Sequence, residues 1–385
     1  MNHVRAVMSE RTGLFRARFY PNVSDELWND WQWQLRKGIR TLEALERIVL
    51  LTPNERSAIE AASRRGFLPL SLSPYYASLL DAVDSNHGLR RTVVPVVAEQ
   101  TRSPHEVPDP LHEDDKMVVP GLVHRYPDRV LFLVTRVCAS YCRFCTRSRM
   151  VGSTDEAYKI VPSHWEAALQ YLRSHGEVRD VLLSGGDPLM LSDASLDYLL
   201  GSLAAIPHVE FVRIGTKIPV ALPQRITPSL IEVFKRHRSP LWMSINVSSH
   251  EELTPEASEA LSMLADAGIP LGSQTVLLKG VNDSVELMKK LNHGLLRLRV
   301  RPYYLYQLDP VVGTAHFHVP VARGLQIMQG LRGHTSGYAV PTYVIDTPGG
   351  KIPIGADFVE RRDGHDIVLE NFQGKTFRYR DPVLI

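Results

Sequence analysis

The sequence has few cysteines, no long apolar run and almost no excess of charge. Its 385 residues include three cysteines, an odd number that makes a poor disulfide framework. No stretch approaches the roughly 20 apolar residues that span a bilayer, so we expect no membrane association. The formal net charge is +2, with basic residues spread along the chain, which argues against nucleic acid as a partner.

The remaining composition is that of an ordinary globular protein. Hydrophobic residues make up 44% and charged residues 22% of the chain, both usual values. The N-terminal 20 residues are charged and lack a continuous apolar core, so they do not match a secretory signal. We therefore expect a cytoplasmic protein, built as one large domain with additions or as two domains.

The chain changes pattern near residue 120. Residues 1–120 are predicted to be helical, with Ser24 capping a helix that carries Trp28 on its apolar face. A second helix should begin after Thr52. Residues 101–119, rich in Pro, Asp, Glu and His, are predicted to form an irregular connection.

The middle of the chain alternates short apolar strands with amphipathic helices. Predicted strands cover 129–135, 180–184, 210–216, 241–247, 271–278 and 300–307. Helical patterns cover 164–175, 195–206, 227–237 and 254–268. This α/β alternation predicts a parallel sheet rolled into a partial or complete barrel, with its chemistry at the C-terminal strand ends. Four polar or flexible residues lie just past predicted strand ends: Cys138, Gly185, Lys217 and Asp309.

All three cysteines fall within eight residues, with the spacing C-x3-C-x2-C at Cys138, Cys142 and Cys145. Three thiolates can hold three irons of a four-iron cluster and leave the fourth iron without a protein ligand. A closed Fe–S site normally takes four cysteines, so this spacing indicates an iron that is open to a substrate. The alternatives are a zinc site, for which no histidine lies at finger-like spacing downstream, and buried structural cysteines.

Several further blocks carry a family resemblance. They are HRYPDRV (124–130), DVLLSGGDPLMLSD (180–193), LPQRITP (222–228), LLKGVND (277–283), RPYYLYQLD (301–309) and LRGHTSGYAVPTYVIDTPGGK (331–351). Together with the cysteine spacing, they resemble the lysine 2,3-aminomutase family of radical S-adenosylmethionine (SAM) enzymes, from about Ser24 to the C-terminus. The resemblance implies a partial (β/α)6 radical-SAM barrel over 121–315, an N-terminal helical extension over 1–120 and a C-terminal α/β extension over 316–385.

The resemblance also implies cofactors and their ligands. A [4Fe–4S] cluster on the three cysteines would bind and cleave S-adenosylmethionine. The matching cofactor contacts are Ser184, Gly185, Gly186, Asp187 and Gln274. Amino migration in this family needs the nitrogen held as an imine by pyridoxal 5′-phosphate (PLP), and Lys351 matches the PLP lysine. The other positions that match PLP contacts are Arg125, Tyr126, Arg129 and Tyr306.

The resemblance further implies the substrate. Arg147 matches the family residue that pairs with the substrate carboxylate, and Asp309 and Asp346 match the acids that receive the distal ammonium of lysine. The expected enzyme is therefore an isomerase that converts L-lysine to β-lysine. L-arginine, giving β-arginine, is the first alternative, because a guanidinium also bridges two carboxylates. Modification of a lysine side chain within a protein is the second, and a structural or redox-sensing cluster without catalysis is a third.

This sequence differs from some family members in one feature that affects metal binding and assembly. Family members with a longer tail carry a zinc-binding cysteine cluster there, and this sequence has no cysteine beyond Cys145. We therefore expect no zinc. The implied partners are an electron donor such as flavodoxin or ferredoxin, a small-molecule amino acid substrate and further copies of the chain in a homo-oligomer.

Overall fold

The structure is a computed structural model that describes residues 7–62, 68–153, 155–237, 239–355, 359–363, 366–371 and 373–380. Its strands are β1 Met117–Val119, β2 Leu122–Tyr126, β3 Arg129–Thr135, β4 Asp180–Gly185, β5 Phe211–Thr216, β6 Leu241–Asn246, β7 Leu271–Val276, β8 Val300–Tyr306, β9 Thr342–Thr347, β10 Gly350–Pro353, β11 Val359–Asp363, β12 Asp366–Glu370 and β13 Thr376–Arg380.

The helices lie before, between and after the parallel strands. They are α1 Glu10–Phe19, α2 Asp25–Trp28, α3 Trp31–Arg36, α4 Leu42–Glu46, α5 Pro53–Ala62, α6 Pro74–Ala77, α7 Gly88–Arg91, α8 Pro162–Arg173, α9 Asp193–Ala204, α10 Ile218–Ala221, α11 Pro228–Arg236, α12 Pro255–Asp266, α13 Val285–Arg297 and α14 Val321–Leu331.

Strands β1 to β10 form one open sheet in sequence order. Strands β3 to β9 are parallel, and antiparallel hairpins extend both edges, with β1 and β2 at one edge and β10 at the other. The sheet does not close into a barrel, so the partial barrel is confirmed. All six predicted strands are present as β3 to β8, and β9 adds a parallel strand that lies beyond them.

Side chains alternate between the two faces of the sheet, as the pleat of a strand requires. In β4, Val181 and Leu183 are fully buried and belong to the apolar core that includes the flanking helices. Asp180, Leu182 and Ser184 point the other way and line a cavity. The predicted helices between the strands correspond to α8, α9, α11 and α12, and they cover the outer face.

The N-terminal segments form a second apolar core and hold the cysteine loop. Trp28 is completely buried in that core. The N-terminal helix predicted after Ser24 is capped there, but it ends at Trp28, and α3 starts separately behind the side chain of Asp30. The second predicted helix is α5, in which Thr52 and Glu55 bond each other reciprocally, as in a capping box.

At the other end of the chain, β11 to β13 form a separate antiparallel sheet. Within the described ranges, no helix is long and apolar enough to cross a membrane.

Candidate active site

The three cysteines lie on the loop that follows β3, and N-terminal segments fix this loop by backbone hydrogen bonds. The N–H of Tyr141 donates to the carbonyl of Ser71 at 2.8 Å, and the N–H of Arg143 donates to that of Thr92 at 2.8 Å. The Arg143 guanidinium adds an ion pair with Glu99. The loop conformation therefore depends on a part of the chain outside the sheet.

The thiols of Cys138, Cys142 and Cys145 are free and half-buried, and they line a cavity of about 200 Å³. Burial, together with the charges of Cys145, Glu252 and Asp187, raises the pKa of Cys142 to about 12, against the opposing charge of Lys217. A thiol with a raised pKa keeps its proton until a metal replaces it. Among the residues that the structure describes, no three His, Cys, Asp or Glu side chains converge on a single metal ion. An Fe–S cubane does not need such convergence, because each thiolate binds a different iron.

Gly185 ends β4, and Gly186 follows it, both against the start of the cysteine loop. Gly185 has φ +127°, and a Cβ there would lie 2.1 Å from the carbonyl oxygen of Thr135. A Cβ on Gly186 would lie 2.4 Å from the carbonyl oxygen of Val137. Only glycine permits such an approach, so these two residues hold the cysteine loop and the end of β4 together along one wall of the small cavity.

Asp187 anchors the next strand to this turn. Its carboxylate accepts from the Thr216 hydroxyl at 2.7 Å and from the Lys217 N–H at 2.7 Å. Burial raises the pKa of Asp187, although these hydrogen bonds oppose that effect. Both carboxylate oxygens thus bond the protein itself, and Asp187 orients the end of β5 beside the cysteines.

The small cavity adjoins a much larger one of about 890 Å³ inside the curved sheet. Arg147, Ser184 and Gln274 line both. The larger cavity also contains the other sequence-predicted contacts, namely Arg125, Tyr126, Arg129, Tyr306, Asp309, Asp346 and Lys351. The structure therefore divides the predicted residues between two connected spaces, with the cysteines and the Gly-Gly-Asp turn in the smaller.

Lys351 and Asp346 lie opposite each other on the hairpin formed by β9 and β10. The Nζ of Lys351 is 2.6 Å from Oδ2 of Asp346 and 5.6 Å from the centre of the Tyr306 ring. On the other side, Arg125 donates to Oδ1 of Asp346 at 3.0 Å. Asp346 was predicted to receive a substrate ammonium, but in this structure it bonds two cations of the protein.

Tyr126 links the hairpin to the edge of β2. Its hydroxyl accepts from the Lys351 N–H at 3.0 Å and from Arg125 at 3.1 Å. The Arg129 guanidinium lies over the Tyr126 ring at 3.9 Å and pairs with the half-exposed Asp128. Arg125 uses both of its terminal nitrogens within the protein, whereas Arg129 lines the larger cavity with Asp128 as its ion-pair partner.

Asp309 lies three residues past the end of β8 and accepts from the Thr146 hydroxyl at 3.0 Å. Burial and the nearby charge of Asp346 raise the pKa of Asp309 to about 6, against the opposing effect of the Thr146 hydrogen bond. The raised pKa marks a carboxylate whose negative charge is poorly compensated within the protein.

Arg147 is bonded in a way that the sequence does not indicate. Its Nε and Nη2 bond both carboxylate oxygens of the buried Glu113, at 2.7–3.1 Å. Glu113 lies in the connection predicted to be irregular, and no spacing or motif distinguishes it. Thr146 was also missed, although its position between Cys145 and Arg147 was a usable signal.

Comparison with known families agrees with this arrangement of cysteines and strands. A model described as the Radical SAM superfamily matches residues 132–291, and one described as lysine-2,3-aminomutase matches residues 328–384. The first match covers β4 to β7 and the cysteine loop. The fold and the cysteine motif thus define a radical SAM enzyme, a class that binds a [4Fe–4S] cluster and S-adenosylmethionine.

Individual relatives extend the similarity over nearly the whole chain. The L-lysine 2,3-aminomutase of Fusobacterium nucleatum is 47% identical over 95% of this chain and 86% of the relative. That of Clostridium subterminale is 45% identical over 96% and 88%. The glutamate 2,3-aminomutase of Clostridioides difficile is 37% identical over 94% and 84%. The chain belongs to the lysine 2,3-aminomutase family, whose members are isomerases.

Proposed function

We propose that this protein moves the α-amino group of L-lysine to the β-carbon, giving β-lysine, with a [4Fe–4S] cluster, S-adenosylmethionine and PLP bound. The observation that carries the proposal is the pair of connected cavities, one lined by the three thiols and the other by Lys351 and the predicted substrate residues. The identity to L-lysine 2,3-aminomutases over most of the chain also supports it.

In this proposal the small cavity binds the cluster and S-adenosylmethionine. Cys138, Cys142 and Cys145 ligate three irons, and the cluster, when bound, supplies the electron that cleaves S-adenosylmethionine. The Gly-Gly-Asp turn and Ser184 form one wall beside it, and Gln274 lies where the two cavities meet. The donor set fits, because three free thiols face one enclosed space and none is used in a disulfide.

The larger cavity binds PLP, which when bound holds amino nitrogens through its aldehyde carbon. Lys351 offers the amine, and the Tyr306 ring lies within 5.6 Å of that amine. Arg129 and Arg125 flank Tyr126 at 3.9 and 4.9 Å from its ring, and two guanidiniums suit a phosphate. The residues therefore fit the group, with an amine on β10 and two guanidiniums on β2 and β3.

The substrate lies between Arg147 and Asp309 in this proposal. Arg147 receives the α-carboxylate and Asp309 the distal ammonium, with Asp346 beside it. A glutamate side chain would bring a third carboxylate toward Asp309 and Asp346, which is unfavourable in an enclosed site. That electrostatic argument favours a cationic substrate over the glutamate used by the relative from Clostridioides difficile.

The test is an anaerobic assay with both cofactors, S-adenosylmethionine and a reductant. Lysine, arginine, ornithine, glutamate and alanine are offered separately, and products are identified by chromatography against β-amino acid standards. We expect β-lysine as the dominant product. Preferential turnover of glutamate or alanine would contradict the proposed substrate, and β-arginine as the dominant product would replace lysine by arginine.

A further inference from the structure

Glu113 holds Arg147 along one edge of its guanidinium. Nε of Arg147 lies 3.1 and 2.9 Å from the two oxygens of Glu113, and Nη2 lies 2.7 Å from Oε1. The Glu113 side chain is 5% exposed. Such a two-pronged pair fixes the plane of a guanidinium as well as its position.

The opposite end of Arg147 faces the cavities. Its Nη1 donates to the Ser184 hydroxyl at 3.1 Å and approaches the Gly185 carbonyl at 3.5 Å. Ser184 lines both cavities, and Glu113 lines the larger one beside Arg147. The guanidinium therefore has one edge committed to Glu113 and one end directed at the space where the two cavities meet.

A second cation keeps Glu113 in place. Nη2 of Arg149 lies 3.4 Å from Oε2 of Glu113 and 2.9 Å from Oδ1 of Asp114. Burial alone would raise the pKa of Glu113, but Arg147 and Arg149 together hold it below its ordinary value. We expect Glu113 to stay bonded to Arg147 when a substrate carboxylate binds, because its displacement would break two buried ion pairs.

We propose that Glu113 is a positioning residue that fixes Arg147 so that only its Nη1 end receives the substrate α-carboxylate. The inference rests on the proposed function, in which Arg147 binds that carboxylate. The fixed guanidinium then restricts the bound substrate carboxylate to one orientation. Without Glu113, the long arginine side chain regains rotamers and its fork loses its fixed plane.

The test compares two ligands that differ only at the group in question. L-lysine carries the α-carboxylate, and L-lysinamide carries a neutral carboxamide in its place. Binding of each is measured by anaerobic calorimetry on protein loaded with cluster and PLP, without reductant, so that no turnover occurs. The proteins are wild type, E113Q and D114N. D114N is the matched control, because it makes the same carboxylate-to-amide change one residue away, at a half-exposed partner of Arg149.

We expect wild type and D114N to prefer lysine over lysinamide by the same factor. In E113Q that preference should fall by about tenfold, which corresponds to the usual contribution of one charge-assisted hydrogen bond. The fall should come from weaker binding of lysine, with lysinamide binding unchanged. Equal weakening of both ligands would mean that Glu113 only supports the fold and would overturn the proposal. An unchanged preference, or tighter lysine binding in E113Q, would overturn it too, because Glu113 would then merely compete for the charge of Arg147.

Failure of the proposed function has a different signature. A wild-type protein that binds lysine and lysinamide equally, or neither, would remove Arg147 as the carboxylate ligand before any variant is considered. If E113Q does not fold, as judged by its melting temperature, E113D takes its place. It keeps the charge but withdraws the carboxylate by one methylene, and the same fall in preference is expected.

Discussion

The two cavities contrast in how the chain builds them. The three cysteines of the small cavity lie within one loop, and the glycine turn beside them packs directly on that loop. The larger cavity draws Arg125 from β2, Asp309 from the end of β8 and Lys351 from β10, so it exists only when both edges of the sheet are in place. A site whose ligands lie in one loop can be predicted from the spacing of its residues. A site assembled from distant strands cannot, because it depends on the register of the whole sheet.

The contrast predicts that each cavity can be disabled without the other. The largest effect should follow from C142A, because the sequence has no spare cysteine to replace a lost iron ligand. We expect loss of four-iron content and of reductive S-adenosylmethionine cleavage, measured by iron analysis and by release of 5′-deoxyadenosine. PLP bound at Lys351 should remain. A C142A protein with a full cluster and normal cleavage would refute the cysteine assignment.

The reciprocal change is K351A in the larger cavity. We expect no measurable amino migration and no borohydride-stable PLP label, because the amine that joins the cofactor is gone. Iron content should equal that of wild type, because Lys351 does not line the small cavity in which the cysteines lie. Peptide mapping of borohydride-treated wild type should place the label on Lys351. A label on Lys217 or Lys279 would show that the cofactor binds elsewhere.

A finer division is expected within the larger cavity. D309N should weaken lysine binding by about 2 kcal/mol, or about 30-fold in Kd, while PLP content stays normal. D346N should weaken lysine binding and also lower PLP content, because Asp346 bonds Lys351 and Arg125. Calorimetric titration and absorbance of the bound cofactor measure the two effects. Equal PLP content in both variants would contradict this division of roles.

The smallest effect concerns pH. The pKa of Asp309 is raised to about 6, so the group is charged above that pH and neutral below it. Lysine should therefore bind best above pH 6 and progressively more weakly as the pH falls through that value. In D309N this dependence should be lost. An identical pH profile for lysine Kd in wild type and D309N would exclude Asp309 as the titrating group.

The sequence was sufficient for six of the seven parallel strands, β3 to β8. The short apolar runs with helices between them correspond to β3 to β8, because one face of each strand packs against the flanking helices and is apolar. It was insufficient where local and tertiary effects compete. The helix predicted after Ser24 stops at Trp28, since Asp30 caps a new helix there, and β9 joins the sheet from a segment predicted to lie outside the barrel.

The candidate site divides in the same way. The residues predicted from the family blocks all line one of two adjoining cavities. The blocks did not indicate which hydrogen bonds and ion pairs those residues make. The pairs Arg147–Glu113 and Asp346–Arg125 cannot be predicted from residue spacing, because each joins segments that are distant in sequence and meet only in the folded chain. Such partners become visible once distances are known.

In the hairpin of β9 and β10, the face of the sheet on which Lys351 lies depends on whether the number of residues before it changes by an odd or an even number. Lys351 pairs with Asp346 across the ladder, and only Pro348 and Gly349 separate the two strands. One residue inserted within β10 ahead of Lys351 would turn the lysine to the opposite face of the sheet, whereas two would return it to the cavity side one step further along. Insertions of even length at this point therefore keep Lys351 on the cavity side but no longer opposite Asp346, and odd ones keep it there only if a bulge absorbs the extra residue.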